Sequence, residues 1–148
     1  MLAVTHAALG LLIGLLALPL STTNTIVFLA LVVFGSLLPD VDHEKSYINK
    51  KLKFTKVASI FKHRGIFHTI YPPVLLYVLL YATPFSFIGL AVGIGYLAHL
   101  LGDSLTPSGI NYLHPFASLH LRGPIKTGSL AEKVFLVLTL VVIVTVIV

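Results

Sequence analysis

The chain contains no cysteine in 148 residues. That absence excludes disulfides, thiolate metal sites and cysteine nucleophiles. Charge is almost as scarce. Charged residues make up 10% of the sequence, against roughly 25% in a soluble domain. Acids are the rarest of these, five in all. There is no Ser-His-Asp arrangement, Walker loop, dinucleotide fingerprint or aromatic nucleic-acid platform, so no nucleic-acid partner is expected. No internal repeat or low-complexity segment occurs. The first apolar stretch, "MLAVTHAALGLLIGLLALPLS", lacks a basic n-region. It therefore reads as a retained helix rather than a cleaved signal.

Apolar sequence is what the chain has in abundance. It is 57% hydrophobic with a mean hydropathy of +1.00. These values exclude disorder and indicate a multi-pass membrane protein folded as one domain over residues 1–148. Five apolar runs stand out: Val4–Leu20, Thr25–Leu38, Ile66–Thr83, Phe85–Leu101 and Lys133–Val148. Most fall slightly short of the ~20 residues that span a bilayer, a shortfall that local thinning can absorb. None has a polar stripe to face water. The expected fold is an all-α membrane bundle of five helices. The third helix should begin near Pro72, because proline is tolerated in a first turn. Residues 102–132, rich in Gly, Pro, Ser and His, read as irregular.

Seven of the ten Lys and Arg lie between Lys45 and Arg64. Within that segment "KKLKFTKVASIFK" mixes lysines with apolar residues, as an interfacial helix does. Its expected partners are anionic lipid headgroups. Cytoplasmic loops are enriched in Lys and Arg, so this segment should be cytoplasmic. Counting helices outward then puts the N-terminus and residues 102–132 on the cytoplasmic face too. Every histidine and every acid lands on that face.

The scarce acids are not scattered. "PDVDHEKS" crowds Asp40, Asp42, His43 and Glu44 where the second run stops. Close carboxylates repel one another, and acids at a helix C-terminus oppose its dipole. A shared divalent cation relieves both costs. The plainer alternative is that these acids mark a helix end and pair with the basic loop. "HLLGD" sets His99 and Asp103 at i, i+4, on one face if the helix continues through Gly102. A His–Asp hydrogen bond would use the same spacing. "HRGIFH" places His63 and His68 around a glycine, as two ligands or as one ligand and one interfacial histidine. Arg64 could clamp a phosphate or face lipid headgroups. His6, alone near a helix start, is the least specific. Carboxylate oxygen and imidazole nitrogen suit Zn²⁺, with Mn²⁺ or Fe²⁺ as alternatives.

"LLPDVDHEKS", "HRGIFHT" and "GYLAHLLGDSLTPSGI", in that order between apolar helices, resemble the YdjM-like family. "TGSLAEKVF", with Glu132 at its acidic position, resembles the family's last block. His68-Thr69 stands where that family pattern has His-Ser. Its members are described as LexA-binding, inner-membrane-associated, metal-dependent hydrolases. The family is described as distantly similar to the zinc-dependent phospholipase C and single-strand nuclease superfamily. The resemblance implies hydrolysis of a phosphoester, with a lipid as the expected substrate, at an inner-membrane site holding about one to three ions. It carries over most directly onto His99 and Asp103, and then onto His6, Asp40, Asp42, His43, His63 and His68; of these, His6, Asp40, His63, His68, His99 and Asp103 are the expected metal ligands. Asp42 or His43 would be a further ligand or the general base, and Arg64 would steady the phosphate. Two other functions use the same residues. One is a regulator stapled by a metal; the other is a cation transporter, which the lack of ionisable residues in the helix middles disfavours.

Overall fold

The computed structural model describes residues 1–42 and 66–148. Among them five α-helices are found: α1 (Ala3–Leu16), α2 (Thr25–Leu37), α3 (Tyr71–Tyr81), α4 (Ser86–Ser104) and α5 (Leu130–Ile147). Short 3-10 turns cover Leu18–Leu20, Leu38–Asp42 and Ile66–His68.

Local chemistry explains the helix ends. Asn24 caps α2, its Oδ1 accepting from the backbone N–H of Ile26 at 2.9 Å. Pro72 and Pro73 sit in the first turn of α3, where a missing N–H costs nothing. Ser129 caps α5 by accepting from the Glu132 N–H at 3.3 Å.

Helix α4 is the centre of the described fold. It packs against α1, α2 and α3, while α5 lies against α1. Glycine brings α2 and α4 close together. A Cβ on Gly35 would collide with the Val92 carbonyl, and one on Gly95 with the Val32 carbonyl. Phe28, Val32 and Ala91 form the buried core at this contact. A second buried cluster, Tyr96, Leu100 and Ile110, lies nearer the C-terminal end of α4.

The exterior is apolar. Val74, Leu75, Val78 and Leu79 of α3 and Val134, Val137, Leu138, Val141 and Val144 of α5 are all exposed. Among the described residues only α4 and α5 are helices long and apolar enough to cross a membrane. At 1.5 Å per residue α3 reaches only about 16 Å.

Two features differ from the sequence-based expectation. The fold is mostly helical but not purely so. Ile110–Asn111 (β1) and His120–Leu121 (β2) pair as a small antiparallel hairpin inside the region expected to be irregular. The first run ends as a helix at Leu16, and the last helix starts at Leu130 rather than Lys133. The basic interfacial segment expected at 45–64 lies outside the described residues.

Candidate metal centre

Four segments meet at one end of the bundle. Helix α1 contributes His6, the turn after α2 contributes Asp40, the turn before α3 contributes His68, and α4 contributes His99 and Asp103. Helix α4 continues through Gly102 to Ser104, which keeps His99 and Asp103 on one face. His99 Nε2 lies 3.9 Å from Asp103 Oδ2 and 3.8 Å from Asp40 Oδ1. His68 Nε2 lies 4.0 Å from Asp40 Oδ1. His6 Nε2 is 3.2 Å from Asp103 Oδ1, and its ring stacks on His99 with centroids 3.8 Å apart. His68 meets His99 edge-on at 5.5 Å.

These donors form two groups that share His99: His6, Asp40 and His99, and His68, His99 and Asp103. In each group the ligating atoms lie within 4.8 Å of one another. In a tetrahedral zinc site, bonds of 2.0–2.1 Å put the donors about 3.3 Å apart. The spacing here is wider, up to 4.8 Å, so the donors would draw in by as much as about 1.5 Å to close on an ion.

The surroundings fix the tautomer of His99. Its Nδ1 lies 2.8 Å from the Ser36 carbonyl. A carbonyl only accepts, so Nδ1 carries the proton and donates it. In the neutral ring Nε2 then presents its lone pair to the two carboxylates. His99 Nε2 and His6 Nδ1 are buried, and neither has a hydrogen-bond partner among the described residues. Leaving a polar nitrogen so costs roughly 1–3 kcal/mol. A cation among these donors would remove that cost, so the residues fit the divalent metal that the family resemblance implies.

Burial divides the site. The side chains of His6, His68, His99 and Asp103 are at most 3% exposed, while Asp40 is 24% exposed. Asp40 is therefore the most open flank of the cluster. Gly102 makes room on the closed side, since a Cβ there would come within 3.1 Å of the His6 ring.

Backbone bonds hold the loops in register. Tyr96 donates its hydroxyl to the Phe67 carbonyl, next to His68. The Ile70 N–H bonds the Tyr112 carbonyl at 3.1 Å.

The structure thus brings together five of the expected ligands. Asp42 ends the 3-10 turn after α2, and its side chain lies outside the described residues, as do His43, His63 and Arg64. His114 and His120 are exposed on the hairpin rather than in the cluster.

Two groups in this region are not evident from the metal-ligand pattern. The Met1 amine lies 2.7 Å from Asp103 Oδ1. Glu132 is buried and accepts from the backbone N–H of Leu2 at 2.6 Å and from that of Gly128. It thereby ties the start of α1, one turn before His6, to the start of α5. The signal for Glu132 was present in the sequence: Ser129-x-x-Glu132 is a capping-box pattern. Here its carboxylate turns to Gly128 and Leu2.

Comparison with known proteins agrees with the motif resemblance. The family profile described as "YdjM inner membrane protein" matches residues 1–148. The Inner membrane protein YdjM of Escherichia coli is 37% identical over 91 residues, which is 56% of this chain and 46% of that protein. Its namesake in Shigella flexneri matches equally. The Uncharacterized protein YvsG of Bacillus subtilis is 32% identical over 107 residues, 69% of this chain and 66% of that protein. The matched stretch thus spans about half the length of the first two relatives. No solved structure matches. On the whole-length match and the ordered motifs, the chain belongs to the YdjM inner membrane protein family.

Proposed function

We propose that this chain is a membrane-embedded, metal-dependent hydrolase of phosphoester bonds in lipid or lipid-like substrates. The carrying observation is the buried cluster in which two groups of His and Asp donors share His99. Inner-membrane residence is supported by the names of the relatives and by the apolar exterior of α3 and α5. The five apolar runs support a multi-pass arrangement, and the basic segment at 45–64 supports a cytoplasmic side for the site and the N-terminus.

The donors are nitrogen and oxygen only, which suits Zn²⁺ first and Mn²⁺ or Fe²⁺ next. A divalent ion held there supplies a Lewis acid and lowers the pKa of bound water toward about 7. The chain's own residues do the rest. The Ser36 carbonyl holds His99 in the ligating tautomer. His6, stacked on His99, closes the inner wall and excludes water. Asp40, at the open flank, meets an arriving substrate first. Asp42 or His43 takes a proton as general base. Arg64 steadies the phosphate, and the basic segment engages anionic headgroups.

The test is turnover of a simple phosphodiester by purified, metal-loaded protein, with Asp103→Ala as control. Turnover that disappears in Asp103→Ala supports the hydrolase. Loaded wild-type protein without turnover would instead favour the metal-stapled regulator, a reading that the near-complete burial of four of the five ligands also suits.

A further inference from the structure

The hairpin between α4 and α5 combines order with exposure. Its strands pair Ile110 with Leu121 and Asn111 with His120. The turn is bonded internally, with the Leu119 N–H donating to Asn111 Oδ1 at 2.9 Å and the Ala117 N–H to the Leu113 carbonyl at 2.9 Å. Tyr71 fastens it to the start of α3 by donating its hydroxyl to the Leu113 carbonyl at 3.1 Å. Yet this braced turn presents apolar side chains outward. Phe116 is 82% exposed, and Leu119 and Leu121 are each 47% exposed. A turn whose backbone is satisfied does not need such residues for its own folding.

Charge identifies what covers them. The segment 104–131 has no acid, and its Arg122 and Lys126 are exposed beside the apolar residues. Apolar side chains flanked by fixed cations match the boundary of an anionic bilayer, where acyl chains lie beneath negative headgroups. Phe116 packs edge-on against Tyr71 at 5.5 Å. Tyrosine is enriched at the membrane–water interface, where its ring sits at the headgroup level.

We propose that the 110–121 hairpin is a membrane-interface anchor. Phe116, Leu119 and Leu121 enter the headgroup–acyl boundary, and Arg122 and Lys126 bind anionic headgroups beside the metal centre. The anchor rests on the membrane residence proposed above and extends it. It would concentrate anionic lipid where Asp40, His68, His99 and Asp103 meet.

The chain contains no tryptophan, so Phe116→Trp creates a single reporter, and Val141→Trp on the outward face of α5 creates a control. Each is reconstituted in vesicles carrying bromine-labelled lipid. The anchor predicts blue-shifted emission from Phe116→Trp, quenched more by bromines near the headgroup than by bromines deep in the chains. Brominated phosphatidylglycerol should quench it at least about twofold more than brominated phosphatidylcholine at equal content. Arg122→Gln with Lys126→Gln should erase that lipid preference. Red-shifted, unquenched Phe116→Trp beside a quenched Val141→Trp would overturn the anchor and leave membrane residence intact. Blue-shifted but unquenched emission would overturn it too, as would equal quenching by both lipids. No quenching of Val141→Trp would defeat membrane residence itself.

Discussion

Helices α4 and α5 are nearly equal in length, 19 and 18 residues, and both are long and apolar enough to cross a membrane. Their environments are opposite. In α4, 61% of the most apolar stretch is buried; in α5 the share is 17%. Hydropathy runs the other way, 1.4 for α4 and 2.5 for α5. Helix α4 gives up apolar side chains for Gly89, Gly95 and Gly102, which admit neighbours closely, and for His99 and Asp103, which the cluster uses. Helix α5 has no glycine and is rich in valine, isoleucine and leucine on every side. The lesson is that hydropathy alone ranks these helices backwards for function. The less apolar one is the interior scaffold, and the more apolar one faces outward.

The largest expected effect tests the close packing of α4. Gly95→Val forces a side chain into the Val32 carbonyl. It should destabilise the fold by about 3 kcal/mol or more, read as loss of folded protein in detergent by size-exclusion chromatography. A folded Gly95→Val protein of normal stability would break the account of the α2–α4 contact.

Next is Val141→Lys on the outward face of α5. On a water-facing helix this change is nearly neutral, within about 0.5 kcal/mol. At the centre of a bilayer it costs about 2.5–3.5 kcal/mol, read as failed insertion in a membrane-integration assay. Neutrality would mean that α5 does not face lipid.

Glu132→Ala comes next in size. It strips two backbone N–H groups of their acceptor and releases the start of α1 from α5. The expected loss is about 1–3 kcal/mol of stability, read by thermal unfolding. Metal affinity should fall about tenfold as His6 loosens, read by competition with a chromophoric chelator. Unchanged affinity would show that His6 holds its place without this tie. The smallest effect is expected from Val141→Leu, which should shift stability by less than about 0.5 kcal/mol.

Much of this arrangement was legible in the sequence, for reasons that can be named. His99 and Asp103 announced themselves by i, i+4 spacing at the end of an apolar run. Asp40 stood out because acids are so rare in this chain, and His68 because a second histidine preceded the proline-started helix. His6 was the least specific candidate, yet it stacks directly on His99. A lone histidine near a helix start has no spacing signature, and only tertiary packing against Gly102 reveals its place. The hairpin was missed because strands of two residues are too short to show alternation. The Ser36 carbonyl that sets the His99 tautomer could not be foreseen, since any residue supplies a carbonyl.

The central claim is that His99 is the shared ligand of a buried divalent-metal site. Elemental analysis of the purified protein, wild type beside His99→Ala, tests it most directly. The account predicts about one or more equivalents of zinc, manganese or iron in the wild type. It predicts little or none in a His99→Ala protein that still elutes as folded. Equal metal in both proteins, or none in a folded wild type given excess zinc, would contradict it.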